Sequence, residues 1–191
     1  MRIISGIAKG KKIFTPIDKK TRPLKDRVRE SIFNIISHSN LLNAKLNQCI
    51  VLDLFSGVGS FGLEAVSRGV KKVVFFEDYK PAIKLLNKNI SLLSFNKETE
   101  VYNKNIYNKN NFRILKYKFN LIFLDPPFKD GNIVTIINNL INARIVVKDT
   151  LILIHRHKKT KDNFNQNLKI IREETYGFSK IIFGYFNFEE F

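Results

Sequence analysis

The sequence predicts an α/β fold in which helices cover both faces of one mostly parallel β-sheet. From Ile50 onward, short apolar runs alternate with segments that carry apolar residues at helical spacing, and repeated strand–helix units build parallel sheets. A glycine-rich turn joins the first of these strands to the first helix. The length of 191 residues suits one such domain with a short appendage.

Residues 1–25 are expected to form a basic β-hairpin and loop ahead of the main domain, which spans residues 26–191. The first part alternates weakly between polar and apolar side chains, and Gly6 and Gly10 are its candidate turn positions. The segment RVRESIFNIISH then carries apolar residues at helical spacing. This pattern predicts an amphipathic helix that lies on the main domain.

The main domain is predicted to contain five strands with helices between them, followed by a hairpin. The strands are CIVLDLF, KKVVFFE, EVYNKNI, FNLIFLD and the end of RIVVKDTLILIHRH, and the helices are FGLEAVSRG, PAIKLLNKNISLL and residues 131–143. Two further strands, NLKIIREETY and SKIIFGYFNF, meet around Gly177 and add an antiparallel edge. Ligands bind outside the carboxyl ends of strands in such sheets. The chemistry is therefore expected after Leu54, Phe76, Lys104 and Leu124.

A glycine-rich loop follows the first predicted strand. Gly57, Gly59 and Gly62 match G-x-G-x-x-G, a pattern that suits a tight turn and close backbone approach to a ligand at a helix N-terminus. Asp53 ends the strand before the loop, whereas in dinucleotide folds the glycines follow the strand directly and meet a pyrophosphate. S-adenosylmethionine has no phosphate but carries a sulfonium and an ammonium group, which a carboxylate such as Asp53 would attract.

Other predicted cofactor contacts lie in and beyond this loop. The Glu77 carboxylate, at the end of the second strand, would accept hydrogen bonds from both ribose hydroxyls, a feature shared with NAD enzymes. A solvated strand end is the alternative for Glu77 and Asp78. Asn105 would meet the adenine edge, or else lie in a solvated loop. Phe55 would flank the adenine or pack beneath the loop, and Ser56, the next residue, is a further candidate cofactor contact.

The fourth predicted strand ends in Asp125-Pro126-Pro127-Phe128, which predicts a catalytic loop rather than a plain proline turn. Two prolines stiffen the backbone and leave carbonyls free to accept. An exocyclic base amine is a poor nucleophile because its lone pair is delocalised into the ring. The Asp125 carboxylate and the Pro126 carbonyl would accept from its hydrogens and offset its developing charge. Phe128 would stack on a base swung out of its helix or loop.

The acid at position 125 also bears on which base reacts. An ionised carboxylate only accepts hydrogen bonds. Guanine presents two adjacent donors, N1–H and N2–H, whereas adenine presents a donor beside an acceptor, which an amide would suit better. Asp125 therefore favours the N2 amine of guanine as the methyl acceptor.

The chain carries a formal net charge of +16 and a pI near 9.9, which indicates a polyanionic partner. Lys provides 24 of the 33 basic residues, so the composition of an AT-rich genome also explains part of this charge. Residues 1–30 hold ten Lys and Arg against three acidic residues. This concentration favours contact between the N-terminal segment and RNA.

Several classes of protein are disfavoured by the composition. No apolar run approaches the roughly 20 residues that span a bilayer, and the N-terminus lacks the features of a secretory signal. The single cysteine, Cys49, can form no internal disulfide and is expected to be buried. His155 and His157 are expected at a solvated strand end, with no metal site. We therefore expect a soluble, cytoplasmic, monomeric protein.

Together these motifs resemble the RsmD-type family of bacterial small-subunit rRNA guanine-N2 methyltransferases. The resemblance covers nearly the whole chain and rests on MRIISG, RPLKDRVRESIFNII, VLDLFSGVGSFGLEAVSRG, FFE and FNLIFLDPPF. The stretch before the glycine loop is its most family-specific part. The resemblance implies a seven-stranded, Rossmann-like, S-adenosylmethionine-dependent methyltransferase that acts on 16S rRNA, in a partly assembled small subunit.

The resemblance also implies roles for particular residues. Asp53, Gly57, Gly59 and Glu77 would hold the cofactor, and Asp125 through Phe128 would hold the base. The basic residues expected against rRNA phosphates are Arg2, Lys9, Lys11, Lys12, Arg22, Arg27 and Arg29. The family often has arginines where this chain has lysines in the first hairpin, and lysine lacks bidentate phosphate geometry. For Arg27 and Arg29, structural ion pairs are an equal alternative.

Three other functions compete with this interpretation. An NAD-dependent dehydrogenase would explain the glycines and Glu77 but leaves the Asp125–Phe128 loop, Asp53 and the basic hairpin unexplained. A non-catalytic RNA-binding or ribosome-assembly protein on the same scaffold would be favoured by degraded motifs, but both motifs are intact. An amino-methyltransferase acting on DNA would usually carry an added recognition domain, for which 191 residues leave little room.

Overall fold

The computed structural model describes residues 1–16, 24–164 and 167–188. The strands are β1 (Ile50–Leu54), β2 (Lys72–Glu77), β3 (Thr99–Asn103), β4 (Leu121–Leu124), β5 (Leu151–His157), β6 (Leu168–Tyr176) and β7 (Ser179–Phe186). The α-helices are α1 (Asp26–His38), α2 (Ser60–Ser67), α3 (Lys80–Leu93) and α4 (Ile133–Asn142). Short 3₁₀ turns lie at Leu46–Gln48 and Lys109–Phe112.

All seven strands form one sheet in the order β3-β2-β1-β4-β5-β7-β6. Strands β1 to β5 run parallel, whereas β7 pairs antiparallel with both β5 and β6. The predicted mostly parallel seven-stranded sheet with an antiparallel terminal hairpin is therefore confirmed. The third strand ends at Asn103, earlier than predicted, and the chain turns at the following residues.

The core lies on both faces of this sheet. Successive residues of β2 alternate between the faces, so that Val73 and Phe75 pack with α1, α2 and α3 while Val74 and Phe76 pack with α4. All four side chains are fully buried. The continuous apolar strands of the sequence arise from this two-sided burial, and it leaves the strand ends as the place for polar chemistry.

The N-terminal segment folds back on itself as a short, turn-rich hairpin, in which an isolated antiparallel bridge pairs Arg2 with Lys12 and the Ile3 and Ile13 amides donate to the Lys11 and Met1 carbonyls at 2.9 and 3.1 Å. Its turn also bonds to α2: the Ile7 and Ala8 amides donate to the Ser67 carbonyl and hydroxyl at 2.8 and 3.0 Å. Gly6 has a φ of +84°, and a Cβ there would lie 1.7 Å from the Ser67 carbonyl oxygen. Only glycine fits this contact.

A buried carboxylate, Glu64, joins this loop to α1 and α2. It accepts hydrogen bonds from the Ile4 amide at 2.7 Å, the Ser5 amide at 3.0 Å and Arg68 Nε at 2.8 Å. Arg29 Nε lies 3.6 Å away. Since the Glu64 and Arg29 side chains are both fully buried, this cluster holds the N-terminal loop, α1 and α2 together in the protein interior.

The burial of Arg29 corrects its predicted contact with RNA. Its guanidinium donates to the Arg2 carbonyl at 2.5 Å and to Asp26 at 3.0 Å, and it has no exposed surface. Burial lowers the pKa of Arg29, partly offset by Glu64 and Asp26. The ion-pair alternative therefore holds for Arg29. Its position explains the burial, since residues 29, 32, 33 and 36 share one helical face and are all buried.

Within the described ranges, no helix is both long enough and apolar enough to cross a bilayer.

Candidate active site

A cavity of about 370 Å³ opens at the carboxyl ends of the parallel strands. The segments that follow β1, β2, β3 and β4 contribute to it, as do His155 within β5 and Leu24 ahead of α1. Its lining consists of Leu24, Phe55, Ser56, Gly57, Val58, Ser60, Glu77, Asp78, Tyr79, Tyr107, Asp125, Pro126, Pro127, Phe128 and His155. The volume lies in the range of cavities that hold small molecules and cofactors.

The glycines of the loop after β1 serve different purposes. Gly59 has a φ of +83° and starts α2, and a Cβ there would lie 2.4 Å from Leu86. A Cβ at Gly62 would lie 2.3 Å from the Phe75 ring. These two positions are glycine because of packing. A Cβ at Gly57 would meet nothing within 4 Å, and Gly57 lines the cavity. Of the three, Gly57 exposes its backbone to a ligand.

Glu77 is the carboxylate that joins this loop to β2. It accepts hydrogen bonds from the amides of Gly57 at 2.8 Å, Asp78 at 3.0 Å and Tyr79 at 2.9 Å. The side chain is mostly buried yet lines the cavity. Three backbone donors hold the carboxylate at one side of the cavity, where it can accept further bonds from a ligand.

Asp53 lies beneath the loop and does not line the cavity. Its carboxylate accepts from the Gly62 amide at 2.9 Å and is 1% exposed. Burial raises the pKa of Asp53 well above its ordinary value, and the charges of Asp125 and Glu77 add to this shift. The structure therefore gives Asp53 a supporting position, in place of the direct cofactor contact that the sequence predicted.

The rim of the cavity carries Asp78 and a tyrosine that the sequence did not single out. Asn105 does not line the cavity, but its side chain donates to Asp78 at 3.0 Å. Tyr107 lines the cavity, contacts the Phe55 ring edge-on and donates to Asp130 at 2.5 Å. Burial and the Asp130 carboxylate raise the pKa of Tyr107. Tyr107 thus links the segment after β3 to the segment after β4.

Asp125 is held by a histidine that was expected in solvent. His155 is 3% exposed, and its Nδ1 lies 2.7 Å from Asp125 Oδ1 while its Nε2 lies 2.9 Å from Ser179 Oγ. An ionised carboxylate can only accept, so Nδ1–H donates to Asp125, while Nε2 shares a hydrogen bond with the Ser179 hydroxyl. The solvated strand end predicted for His155 is therefore wrong.

Strand register explains this contact. Leu124 and Ile154 are partners in neighbouring parallel strands, so the residues that follow them, Asp125 and His155, lie side by side. Polar residues at matching positions of adjacent strands are candidate partners, so the pair could have been found only if β4 and β5 had been known to be neighbours.

The Asp125–Phe128 loop is braced by a second buried residue of β5. Arg156 is 2% exposed and donates to the carbonyls of Pro127 at 3.3 Å and Asp130 at 2.7 Å, and it pairs with Asp162 at 2.9 Å. Pro126 is buried, whereas Phe128 is half-buried and packs edge-on against His155. Two buried side chains of β5, His155 and Arg156, therefore hold the loop in position.

The charge of the cavity contrasts with that of the chain. Among the described residues that line it are three carboxylates, Glu77, Asp78 and Asp125, and no Lys or Arg, although the chain has a net charge of +16. Such a lining complements a ligand that carries positive charge.

Apart from Arg29, the predicted phosphate contacts among the described residues lie on the surface. Arg27 is exposed, as are the four basic residues of the N-terminal loop, Arg2, Lys9, Lys11 and Lys12. Arg22 lies outside the described residues. RNA contact by these side chains stays a prediction.

Comparisons with known proteins agree with this architecture. The chain is 31% identical to the Ribosomal RNA small subunit methyltransferase D of Haemophilus influenzae, over 93% of the chain and 89% of that protein. It is 33% identical to the protein of the same name from Escherichia coli K12, over 81% and 73%. A solved structure of an Escherichia coli protein described as a candidate methyltransferase superposes with a TM-score of 0.77 at 28% identity, covering 96% of both chains.

The fold extends to more distant proteins. The rRNA methyltransferase aviRa of Streptomyces viridochromogenes superposes with a TM-score of 0.70 at 9% identity, over 87% and 86% of the chains, which is a likeness of fold alone. The predicted Rossmann-like methyltransferase fold is thereby confirmed. A family model described as Conserved hypothetical protein 95 matches residues 1–185. The chain belongs to this family, the RsmD-type family to which its motifs pointed.

Proposed function

We propose that the chain transfers a methyl group from S-adenosylmethionine to the exocyclic N2 amine of a guanine in 16S rRNA of the small ribosomal subunit. The observation that carries this proposal is an acidic cavity that borders the Asp125–Phe128 loop. The relatives named as small-subunit rRNA methyltransferases support the choice of substrate. The exposed basic residues near the N-terminus support a substrate rich in phosphate.

The residues of the cavity fit S-adenosylmethionine. The carboxylates of Glu77, Asp78 and Asp125 complement its sulfonium and ammonium groups, and the open space at Gly57 allows close backbone approach. Phe55 offers an aromatic face for adenine. When bound, the cofactor supplies an electrophilic methyl group. The same lining disfavours NAD, because its pyrophosphate would face three carboxylates.

Asp125 has the position and chemistry to activate the base amine. His155 donates to Oδ1 and so orients the carboxylate, which leaves Oδ2 as an acceptor for an amine hydrogen. The Pro126 carbonyl provides a second acceptor beside it. Hydrogen bonds to these oxygens stabilise the positive charge that develops on the nitrogen. Asp125 can also take up the proton that the methylated amine releases.

The same loop accounts for the choice of base. Asp125 accepts hydrogen bonds, which suits the adjacent N1–H and N2–H donors of guanine. Phe128 is half-buried and faces the cavity, so that its ring can stack on a guanine swung out of the RNA. The Arg156 contacts to the backbone of this loop keep these groups in place before the base arrives.

The N-terminal segment would hold the RNA. We assign phosphate contacts to residues 1–25, through Arg2, Lys9, Lys11, Lys12 and Arg22, and to Arg27 on α1. Contacts of this kind neutralise phosphates without reading sequence, so they supply affinity rather than the choice of nucleotide.

A methyl-transfer assay tests the proposal. The purified protein and labelled S-adenosylmethionine are offered small subunits from cells that lack this protein, deproteinised 16S rRNA, and duplex DNA. We expect label in subunit rRNA, mapped by nuclease digestion and mass spectrometry to N2-methylguanosine. Asp125→Ala should lose this label, and Asp125→Asn, which keeps one acceptor oxygen, should retain a fraction of it.

Other outcomes would change the assignment. Label on adenine, or on DNA alone, would contradict the guanine or the rRNA part of the proposal. Absence of label from every nucleic acid, despite measurable cofactor binding, would refute the rRNA function and favour a scaffold role in subunit assembly.

A further inference from the structure

An exposed aromatic ring lies beside the candidate active site, at the turn between β6 and β7. Phe178 is 62% exposed. Its neighbour Ser179 is the β7 partner of His157, the last residue of β5. Because β5 ends at the carboxyl edge of the sheet, Phe178 lies at the edge where the cavity opens.

A continuous series of rings joins Phe178 to the catalytic loop. The Phe178 ring is nearly parallel to that of His157, with an interplanar angle of 10° and centroids 6.0 Å apart. The next contact along the series is edge-on, between His157 and Phe128 at 5.4 Å. The series therefore leads from a ring that lines the cavity to a ring on the open surface.

Positive charge surrounds the outer end of this series. Lys158 Nζ lies 5.3 Å from the centroid of the Phe178 ring, a distance typical of cation–π contacts. Lys158, Lys159 and Lys161 are all exposed. The nearby acid Asp162 is paired with Arg156 and so does little to offset these charges.

We infer that Phe128, His157 and Phe178, with the lysines beside them, form a platform for single-stranded RNA next to the target guanine. Phe178 stacks on the base of a neighbouring nucleotide while Lys158 turns from the ring to a phosphate. This inference rests on the proposed function, because it assumes that Phe128 meets the target base. Exposed aromatic rings with adjacent cations are the usual means of holding unpaired nucleotides. Charge complementarity favours RNA over a protein partner as the occupant.

The chain offers a direct optical test, because it contains no tryptophan. The Phe178→Trp variant has a single indole, whose fluorescence is quenched when a base stacks on it. We expect a short single-stranded RNA of mixed sequence to quench this emission, and an abasic strand with the same phosphates to leave it nearly unchanged. The matched control is Leu92→Trp, since Leu92 is 49% exposed near the end of α3, at the opposite edge of the sheet.

A kinetic test complements the optical one. Phe178→Ala should raise the KM for small subunits by about 5- to 100-fold, the effect expected from the loss of one stacked base, with little change in kcat. Phe178→Tyr, which keeps the ring, should restore the KM. Leu92→Ala should behave as the unaltered protein.

The two tests separate failure of the platform from failure of the proposed function. If subunits are methylated but RNA leaves the Phe178→Trp emission unchanged, the platform is refuted and the methyltransferase assignment stands. A raised KM in Phe178→Ala without quenching by any RNA would also overturn the inference, in favour of a ribosomal protein as the partner. Quenching by RNA without methylation of any nucleic acid would support the platform and refute the proposed reaction.

Discussion

Replacing Glu64 with glutamine should strongly destabilise the protein. Glu64 receives hydrogen bonds from two backbone amides and Arg68, and it faces Arg29 at 3.6 Å. Oε1 accepts from the Ser5 amide and Arg68 Nε, whereas Oε2 accepts from the Ile4 amide and faces Arg29 Nε. A glutamine amide keeps one oxygen and replaces the other with an NH₂ group. At least one donor therefore loses its acceptor and faces another donor, and Arg29 loses the negative charge beside it.

The magnitude follows from the burial of these groups. Each buried donor left without an acceptor costs about 1–3 kcal/mol, and breaking a buried ion pair costs about 3–5 kcal/mol. Since the two sets of contacts overlap, we expect Glu64→Gln to lower the free energy of unfolding by about 3–5 kcal/mol. A domain whose stability lies in the upper part of the typical range of about 5–15 kcal/mol would still fold in water.

Urea unfolding measures this loss as a decrease in the midpoint at constant m value. The matched control is Glu174→Gln, since Glu174 pairs with Arg172 at 2.7 Å and both side chains are substantially exposed. Surface pairs of this kind contribute about 0–1 kcal/mol. If Glu64→Gln were no more destabilising than the control, Glu64 would not fasten the N-terminal loop as we describe.

Three further predictions concern single positions. Gly6→Ala should lower Tm much more than Gly10→Ala, because both residues have φ near +83° but only the first Cβ would strike backbone; equal losses by thermal denaturation would contradict this. The raised pKa of Asp53 means that the folded protein binds its proton more tightly than the unfolded chain, so stability falls as pH rises through that pKa. Asp53→Asn should therefore raise Tm at neutral pH, with the difference closing in acid; a lower Tm at neutral pH would oppose it. His155→Ala should lower kcat by up to about 100-fold with little change in the KM for the cofactor, since it misplaces a catalytic carboxylate; an unchanged kcat in steady-state assays would exclude that role.

The two motif loops could be placed from the sequence because neighbouring residues encode them. The glycine loop could be placed at the end of β1 because a buried strand, three glycines and a helix follow one another directly in the sequence. The Asp125–Phe128 loop could be placed at the end of β4 for the same reason. Turn chemistry and strand periodicity are local properties, so a single sequence contains them.

The parts that were missed depend on which elements become neighbours in space. His155 meets Asp125 because β4 and β5 are adjacent in the sheet, and strand order is not written in any one segment. The Asp53 carboxylate accepts from the Gly62 amide at 2.9 Å, so Asp53 supports the glycine loop from beneath and does not face the cavity. Arg29 could have been recognised, since it shares the buried face of α1 with Ile32 and Ile36.

The outer strand β6 has a consequence for how the sheet ends. Its register shifts between Ile170 and Arg172, and its exposed positions carry charge at Lys169, Arg172 and Glu173. An irregular, charged edge is a poor template for another strand, because a partner could not continue the ladder without burying these charges. Association of another strand with the β6 edge is therefore disfavoured, even at high protein concentration.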